Sequence, residues 1–436
     1  MLNESMNKTC IIISPYFPPS TLAGVHRARH LAKHLPAAGW NPIVLCVDEA
    51  YHEERLDPGL AGLVPETVEV IKVAAVSARL TRPLGMGEIS LRAFFYLRHR
   101  LLQLLETRKI DCVLITGSPY YPMLLSGEVK RKFDVPVVLD FQDPWVSAWG
   151  ATQPKFSKNG ISHIIASILE PRVLRNASFV TSVSETQNAE LSRRYSWLDA
   201  GQMAAIPIGS DSQDFSALKV LGNETAGAAF DSECFNISYV GTIWPAVLPT
   251  LRVFLRAIAQ LSVRHPSTYK RLRLNFVGTT ANPNDRTGYR VLTLARAEGV
   301  ADIIHEVPQR IPYLQALTVL KKSDASLMLG SNEPHYTASK IYPYLMSGRP
   351  YFSLFHRASS AHEVLTAAGG GISLCFSNNH ELMDLEREIC DGLHVLATNP
   401  DSLGLSNPEV YAPYEAEQIA IQYAEVFDSV CRVGNS

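Results

Sequence analysis

Short apolar runs rich in β-branched residues alternate along this chain with longer stretches whose apolar positions recur every three or four residues. That alternation predicts an α/β chain, with parallel sheets covered by helices and both halves doubly wound. In the first half, Cys10 to Ser14, Pro42 to Val47, Val68 to Val73, Cys112 to Thr116, Val135 to Asp140, Phe179 to Ser182 and Ala204 to Pro207 read as strands. Val25 to Ala38 carries helical periodicity behind a loop containing Pro15, Pro18 and Pro19. This half ends near Phe215. From 216 to 234 the sequence turns small and polar, with Gly222, Asn223, Thr225 and Gly227, which suits an interdomain connection. A second domain over 235–413 follows, with strands at Phe235 to Gly241, Leu272 to Gly278, Ile303 to Val307, Ala325 to Leu329 and Tyr351 to Leu354. Tyr414 to Val430 is a helical tail, and the segment 414–436 is expected to pack back on the first domain.

Composition narrows the class without changing this outline. A length of 436 residues exceeds one ordinary core, and two domains is the simplest division. The 46% hydrophobic and 19% charged content is that of a globular protein, with no apolar run of about eighteen residues to mark a membrane span. A net charge of −2 offers no basic stripe for nucleic acid. Met1 to Thr9 lacks the features of a signal peptide, so the expected location is the cytoplasm. The cysteines, Cys10, Cys46, Cys112, Cys234, Cys375, Cys390 and Cys431, are scattered with no CxxC, and neither a disulfide nor a metal site is expected. Ser90 to Lys109 mixes Phe94, Phe95, Leu97 and Leu101 with Arg92, Arg98 and Arg100. It reads either as a core-facing helix or as one lying on the inner face of a membrane.

Ligands of open α/β sheets bind at strand C-termini, and two such domains facing each other would share a cleft there. The candidate residues follow strands accordingly. After the first strand, Ala23-Gly24 allows close backbone approach, and Arg27 stands one turn into a helix. Asp140-Phe141-Gln142-Asp143-Pro144-Trp145 places two carboxylates, an amide and an aromatic at another strand end. Sugar hydroxyls bond to such groups, and an indole packs on the apolar face of a pyranose. The plainer possibility is that Asp143 caps a helix with Pro144 at its first position. Ser182-Val183-Ser184-Glu185 and Ile208-Gly209-Ser210-Asp211 are a capping box or turn as readily as a site.

In the second domain, Gly241-Thr242 and Gly278-Thr279 are strand-Gly-Thr ends suited to a nucleotide, and Glu333, His335 and Tyr336 stand within reach of sugar or ribose hydroxyls. The most informative stretch is Thr337 to Pro350. Thr337 or Ser339 can cap a helix beginning near Ile341, whose free N–H groups and positive dipole end suit a diphosphate. Lys340 adds a full charge, and Gly348 and Pro350 end the helix. An ordinary capped helix with a solvated lysine is the alternative. GxGxxG is absent.

Taken in order, the Ala-Gly loop with Arg27, DFQDPW, SVSE, IGSD, YVGT, FVGT and SKIYPYLMSGRP resemble glycosyltransferase family 4 and related GT-B enzymes over nearly the whole chain. The resemblance implies a GT-B fold of two Rossmann-like domains, the first on the acceptor side, with a C-terminal helix crossing back. It implies a nucleoside-diphosphate sugar held mainly by the second domain, no further cofactor, and metal-independent transfer with retention of configuration. By the same resemblance Gly24, Arg27 and Lys340 approach the donor phosphates, and Asp143 or Gln142 lies near the transferred sugar, with Asp140 and Trp145 as further sugar or acceptor contacts. The chain departs from the family at the E-x7-E pair, whose positions hold His335 and Pro343. It also departs after YVGT, where residues 244–251 carry no Lys or Arg and Arg286 or Arg310 would have to substitute. The expected function is a retaining glycosyltransferase using a nucleotide sugar and a glycan or lipid-linked acceptor in cell-envelope polysaccharide synthesis. The alternatives are a non-catalytic GT-B nucleotide- or glycan-binding protein, or partner subunit, and thirdly a sugar-nucleotide epimerase.

Overall fold

The runs Cys10 to Ile13 and Val113 to Ile115 are apolar at every position, as strands must be when helices cover both faces of a parallel sheet. In the computed structural model they are fully buried. The structure describes residues 8–221, 225, 227–280, 288–332 and 340–433. The chain divides into one unit made of Met1–Ser210 with Ala416–Ser436 and a second made of Asp211–Glu415.

The first unit holds β1 (Lys8–Ile13), β2 (Trp40–Val47), β3 (Glu69–Val73), β4 (Cys112–Gly117), β5 (Val137–Phe141), β6 (Phe179–Ser182) and β7 (Met203–Ala205). They form one parallel sheet in the order β3-β2-β1-β4-β5-β6-β7. Its principal helices are α1 (Val25–His34), α2 (Ile89–Thr107) and α3 (Lys158–Leu174). In the second unit α4 (Asp214–Leu221) precedes β8 (Phe235–Val240), α5 (Leu248–Arg264), β9 (Leu272–Val277), α6 (Val291–Ala297) and β10 (Ile304–Val307). There follow α7 (Tyr313–Lys322), β11 (Ala325–Leu329), α8 (Ile341–Met346), β12 (Tyr351–His356) and β13 (Gly371–Phe376), and the last helix, α9 (Ala416–Val433), belongs to the first unit. The second sheet is also parallel, in the order β10-β9-β8-β11-β12-β13.

The period of two along each strand divides the first unit between two cores. Ile11, Ile13, Val113 and Ile115 point to the face covered by Ala93, Leu97, Leu101 and Leu104 of α2. Cys10, Ile12, Cys112 and Leu114 point to the other face, under Ala28 and Leu31 of α1 and Tyr423 and Phe427 of α9. Thus α2 is a core-facing helix, and Arg92 within it is buried, donating to the carbonyls of Gly87, Val76 and Tyr51. Cys10, Cys46 and Cys112 are core residues, and burial pushes the Cys46 thiol up to about 12. In the second unit α5 closes the sheet with Leu251, Phe254, Ile258 and Leu261 against Ile237, Leu274 and Phe276.

Three points differ from the sequence expectation. The first unit ends at Ser210 rather than near Phe215. The start of the expected connection is helical: α4 lies in the second unit, where Asp214 accepts a hydrogen bond of 3.0 Å from Tyr313 on α7. A sixth strand, β13, pairs with β12 at the sheet edge. It begins at the third of three consecutive glycines and is half-buried along most of its length, so it lacks the continuous apolar run of an interior strand.

Candidate functional site

In each sheet the strand order runs outward from its first strand in both directions, so the topology reverses between β1 and β4 in the first unit and between β8 and β11 in the second. Crevices of open α/β sheets form at the C-terminal ends of the strands flanking such a point.

In the second unit that point brings Gly241, immediately after β8, against Lys340, immediately before α8. A Cβ on Gly241 would sit 2.7 Å from the Lys340 Nζ, and the glycine φ of 151° is one that side-chain-bearing residues rarely adopt. Gly241 therefore makes room for the amine. Tyr344, one turn along α8, fixes the pair: its hydroxyl donates to the Val240 carbonyl at 2.9 Å and accepts from the Val240 N–H at 2.6 Å. Stacking of Tyr342 on Tyr414, with centroids 4.5 Å apart, adds a second anchor for α8. Although Lys340 as a residue is exposed, its amine is crowded. Desolvation first, and the like charge of Arg310 second, lower it to about 8. A desolvated amine that also feels the charge of a second cation marks a candidate anion site, because a bound anion relieves both costs. A third cation reaches the same strand end, since Arg290 donates from Nη1 to the Ile243 carbonyl at 2.8 Å. Residues 244–251 themselves carry no Lys or Arg. Neither Arg290 nor Tyr344 stood out from spacing: Arg290 arrives from a segment remote in the chain, and Tyr344, though inside the Thr337 to Pro350 stretch, finds its partner far away in sequence at Val240.

Other expectations in this unit are corrected. Ile341 is buried in the cluster with Leu345 and Tyr351, which leaves only its main chain for a ligand. Thr279 is fully buried, with its hydroxyl donating to Glu306 at 2.5 Å, and Glu306 also accepts the N–H groups of Arg290 and Leu292 at the start of α6. Gly278, at φ 74°, turns the chain after β9, one strand removed from the topological reversal, and its N–H donates to the Val307 carbonyl. Thr279 thus ties the end of β9 to the start of α6 through Glu306, and Gly278 turns the chain there. Thr242 is buried beside Gly241, and its carbonyl accepts the Tyr239 hydroxyl at 3.2 Å. Glu333, His335 and Ser339 lie outside the described residues, as do Arg286, Tyr336 and Thr337.

Replacing Tyr344 with Phe removes both bonds to Val240 and leaves that half-buried strand end without its partner. The expected cost is about 1–3 kcal/mol of stability, read as a lower unfolding midpoint in urea. An unchanged midpoint would show that α8 is held by packing alone.

In the first unit, Gly24 lies at the reversal point: a Cβ there would stand 3.3 Å from the Ser118 carbonyl and 3.5 Å from the Gln142 side-chain oxygen. Arg27 and Asp140, expected at donor phosphate and sugar, instead form a buried ion pair. Arg27 Nε donates to Asp140 at 3.2 Å, and its other nitrogens donate to the carbonyls of Pro207 and Ile206. Asp140 also accepts from Tyr423 at 2.7 Å and Thr181 at 3.0 Å, while the guanidinium lies 5.0 Å from the centroid of the Tyr423 ring. Neither group is exposed, so this network ties α1, β5 and β6 to α9 and offers nothing to a ligand. Gln142 is buried, with a long 3.5 Å bond to the Gly24 carbonyl.

Asp143 has the opposite character. The first helical turn after it starts at Ala148, where Ser147 caps the N–H of Gly150, so Asp143 caps no helix. The residue is exposed, and desolvation of its carboxyl raises it above the usual carboxylate range. Tyr120 donates to its main-chain carbonyl at 2.7 Å and stacks on Trp145 with centroids 5.1 Å apart and planes 11° from parallel. Trp145 is half-buried. A raised acid beside an aromatic plate is suited to a sugar ring and its hydroxyls. The remaining candidates are caps and turns: Ser184 accepts the Gln187 N–H, and Asp211 accepts that of Gln213.

Residues 23–209 match the family model described as a glycosyl transferase 4-like domain. No curated protein sequence matches the chain. Among solved structures, HepE from Anabaena in complex with UDP and glucose is 13% identical, with a TM-score of 0.58, and the alignment covers 97% of this chain and all of that one. A glycosyltransferase from Rickettsia africae is 13% identical at a TM-score of 0.61, covering 97% of this chain and 98% of its own. Trehalose-6-phosphate synthase OtsA is 11% identical at 0.62, covering 97% and 99%. The first unit is therefore glycosyl transferase 4-like, and the chain has the GT-B fold with two Rossmann-like domains, as the resemblance implied.

Proposed function

We propose that this protein is a retaining, metal-independent glycosyltransferase that moves a hexose-type sugar from a nucleoside diphosphate to a glycan or lipid-linked acceptor, in cell-envelope polysaccharide synthesis. The observation that carries the reading is the Lys340 amine seated over Gly241 at the topological reversal of the second sheet, where desolvation and the charge of Arg310 disfavour its protonated form. In this reading Lys340, with Arg310 and Arg290 behind it, neutralises the diphosphate as it leaves. Charge fixed in place before the reaction lowers the barrier because no solvent need reorganise. Asp143 and the Tyr120–Trp145 stack are assigned to the sugar or acceptor. Similarity to a structure holding UDP and glucose supports a nucleotide-sugar donor.

A thermal-shift panel of UDP, GDP, ADP and their sugar conjugates, followed by a donor-hydrolysis assay, tests the proposal. A selective rise in Tm for one base, with slow hydrolysis of its sugar conjugate, is the expected result, since a ligand bound only by the folded state stabilises it by mass action. Affinity should also depend on pH with a definite sign. The Lys340 amine, lowered to about 8, is charged below that pH and neutral above it. Diphosphate binding should therefore be strongest below about pH 8 and weaken above it, with a proton taken up on binding in the alkaline range. Isothermal titration across this range reads both effects, and an affinity that stays flat would remove Lys340 from the phosphates.

Two observations favour a second reading, a non-catalytic GT-B binding protein. Pro343 lies within α8 where the resemblance expects a carboxylate, and Arg27 is withdrawn into the core. Nucleotide binding without hydrolysis or transfer would select it.

A further inference from the structure

α3 presents isoleucines to solvent. Its buried positions, Gly160, Ala166, Glu170, Val173 and Leu174, define the side that packs on the unit. The opposite side carries Ile161, Ile164, Ile165 and Ile168, spaced as one helical stripe and 37–48% exposed. The preceding loop folds back on the start of this helix. A Cβ on Gly150 would meet the His163 ring nitrogen at 2.7 Å, and Gly160 lies against the Pro154 carbonyl. Two further large apolar side chains on this loop are bare, Trp149 at 63% and Phe156 at 95% exposure. A contiguous group of this kind on a soluble surface marks an interaction site.

The charges around it indicate the partner. Between Asp143 and Glu185 the sequence contains one acid, Glu170, which is buried and accepts hydrogen bonds from the Val146 N–H, Arg194 and Tyr195. Lys155, Lys158, Arg172 and Arg175 are all exposed. An apolar stripe with two exposed aromatics in the segment before it and Lys155 and Lys158 near its N-terminal end matches an interfacial helix on an anionic lipid surface, while the exposed Asp134 and Asp199 line a cavity with Arg175 at its far end. A second copy of the chain fits less well, because a two-fold contact through this face would bring Lys155 and Lys158 against their own like charges.

We infer that the exposed face of α3, with Trp149, Phe156, Lys155 and Lys158, is a docking surface for anionic phospholipid. α3 follows the C-terminal end of β5, the end that carries Asp143 and Trp145. The inference does not depend on the transfer reaction.

Flotation of the full chain with vesicles tests it, comparing phosphatidylcholine alone with phosphatidylcholine mixed with phosphatidylglycerol, at low and high salt. The wild type is expected to float only with the anionic vesicles and to be released by salt. The triple variant Phe156→Ser, Ile161→Ser, Ile165→Ser and the double variant Lys155→Glu, Lys158→Glu should each lose binding by about tenfold or more. Both should keep the wild-type Tm, because the altered side chains are exposed. A folded wild type that stays unbound on anionic vesicles at low salt overturns the inference. So does undiminished binding by the lysine variant, which decides the matter alone if the triple variant does not fold. Concentration-dependent dimerisation that the triple variant abolishes, without vesicle binding, assigns the face to a second copy instead.

Discussion

Replacing Lys340 with alanine is expected to reduce donor hydrolysis and transfer by ~10²–10³-fold, the usual effect of deleting one fixed charge or donor aimed at a developing anion. The fold should survive the change. The amine is lowered toward 8 because the folded state disfavours its charged form, through desolvation and Arg310, so its removal relieves a cost rather than deleting a support. Equal or slightly higher Tm in the free protein, combined with loss of the nucleotide-dependent Tm rise, is the pattern to look for. Near-normal turnover in a folded Lys340→Ala protein would remove this residue from the reaction. It would also leave the Lys340–Gly241 contact as packing.

The second large effect concerns stability. Asp140→Ala should destabilise the first unit by about 3–5 kcal/mol, because it leaves the Arg27 guanidinium and the Tyr423 hydroxyl buried without the carboxylate that both address. For a unit of this size that corresponds to a fall in Tm of roughly 10 °C. Asp143→Asn, three residues along, should behave in the opposite manner. Its carboxyl is raised by desolvation, so the folded state holds the proton more tightly than the unfolded chain, and ionisation weakens the fold above the unfolded value near 3.8. The amide removes that penalty at neutral pH, and Tm should hold or rise while any sugar-dependent activity falls. Melting curves of the two variants side by side test the assignment. Equal destabilisation by both would make Asp143 a structural residue as well.

These two aspartates show where the sequence was informative and where it was not. Strand positions were legible because buried parallel strands are short runs of mainly apolar and β-branched residues: Phe179 to Ser182 and Ala325 to Leu329 were recovered to the residue. The edge strand Gly371–Phe376 was missed because only one neighbour covers it and its burial is partial. The positions of Gly241 and Lys340 were also legible, since a glycine after a strand and a lysine before a short helix are local features. The fate of Arg27 was not. Whether a guanidinium one turn into a helix faces ligand or core depends on carbonyls at Ile206 and Pro207 and on a tyrosine in the last helix, none of which spacing reveals. Arg290 posed the same problem in reverse, arriving at the end of β8 from the start of α6.

The position of α9 in the chain bears on how the molecule is made. Trp40 packs edge-on against Phe427, and Asp140 receives one of its hydrogen bonds from Tyr423, yet the whole second unit is encoded between these partners. During synthesis the first sheet emerges long before the helix that seals one of its faces. Until then Cys10, Ile12, Leu114 and the Arg27–Asp140 pair lack part of their cover. A nascent first domain is thus an open half-sandwich, held for the time it takes to translate and fold its neighbour.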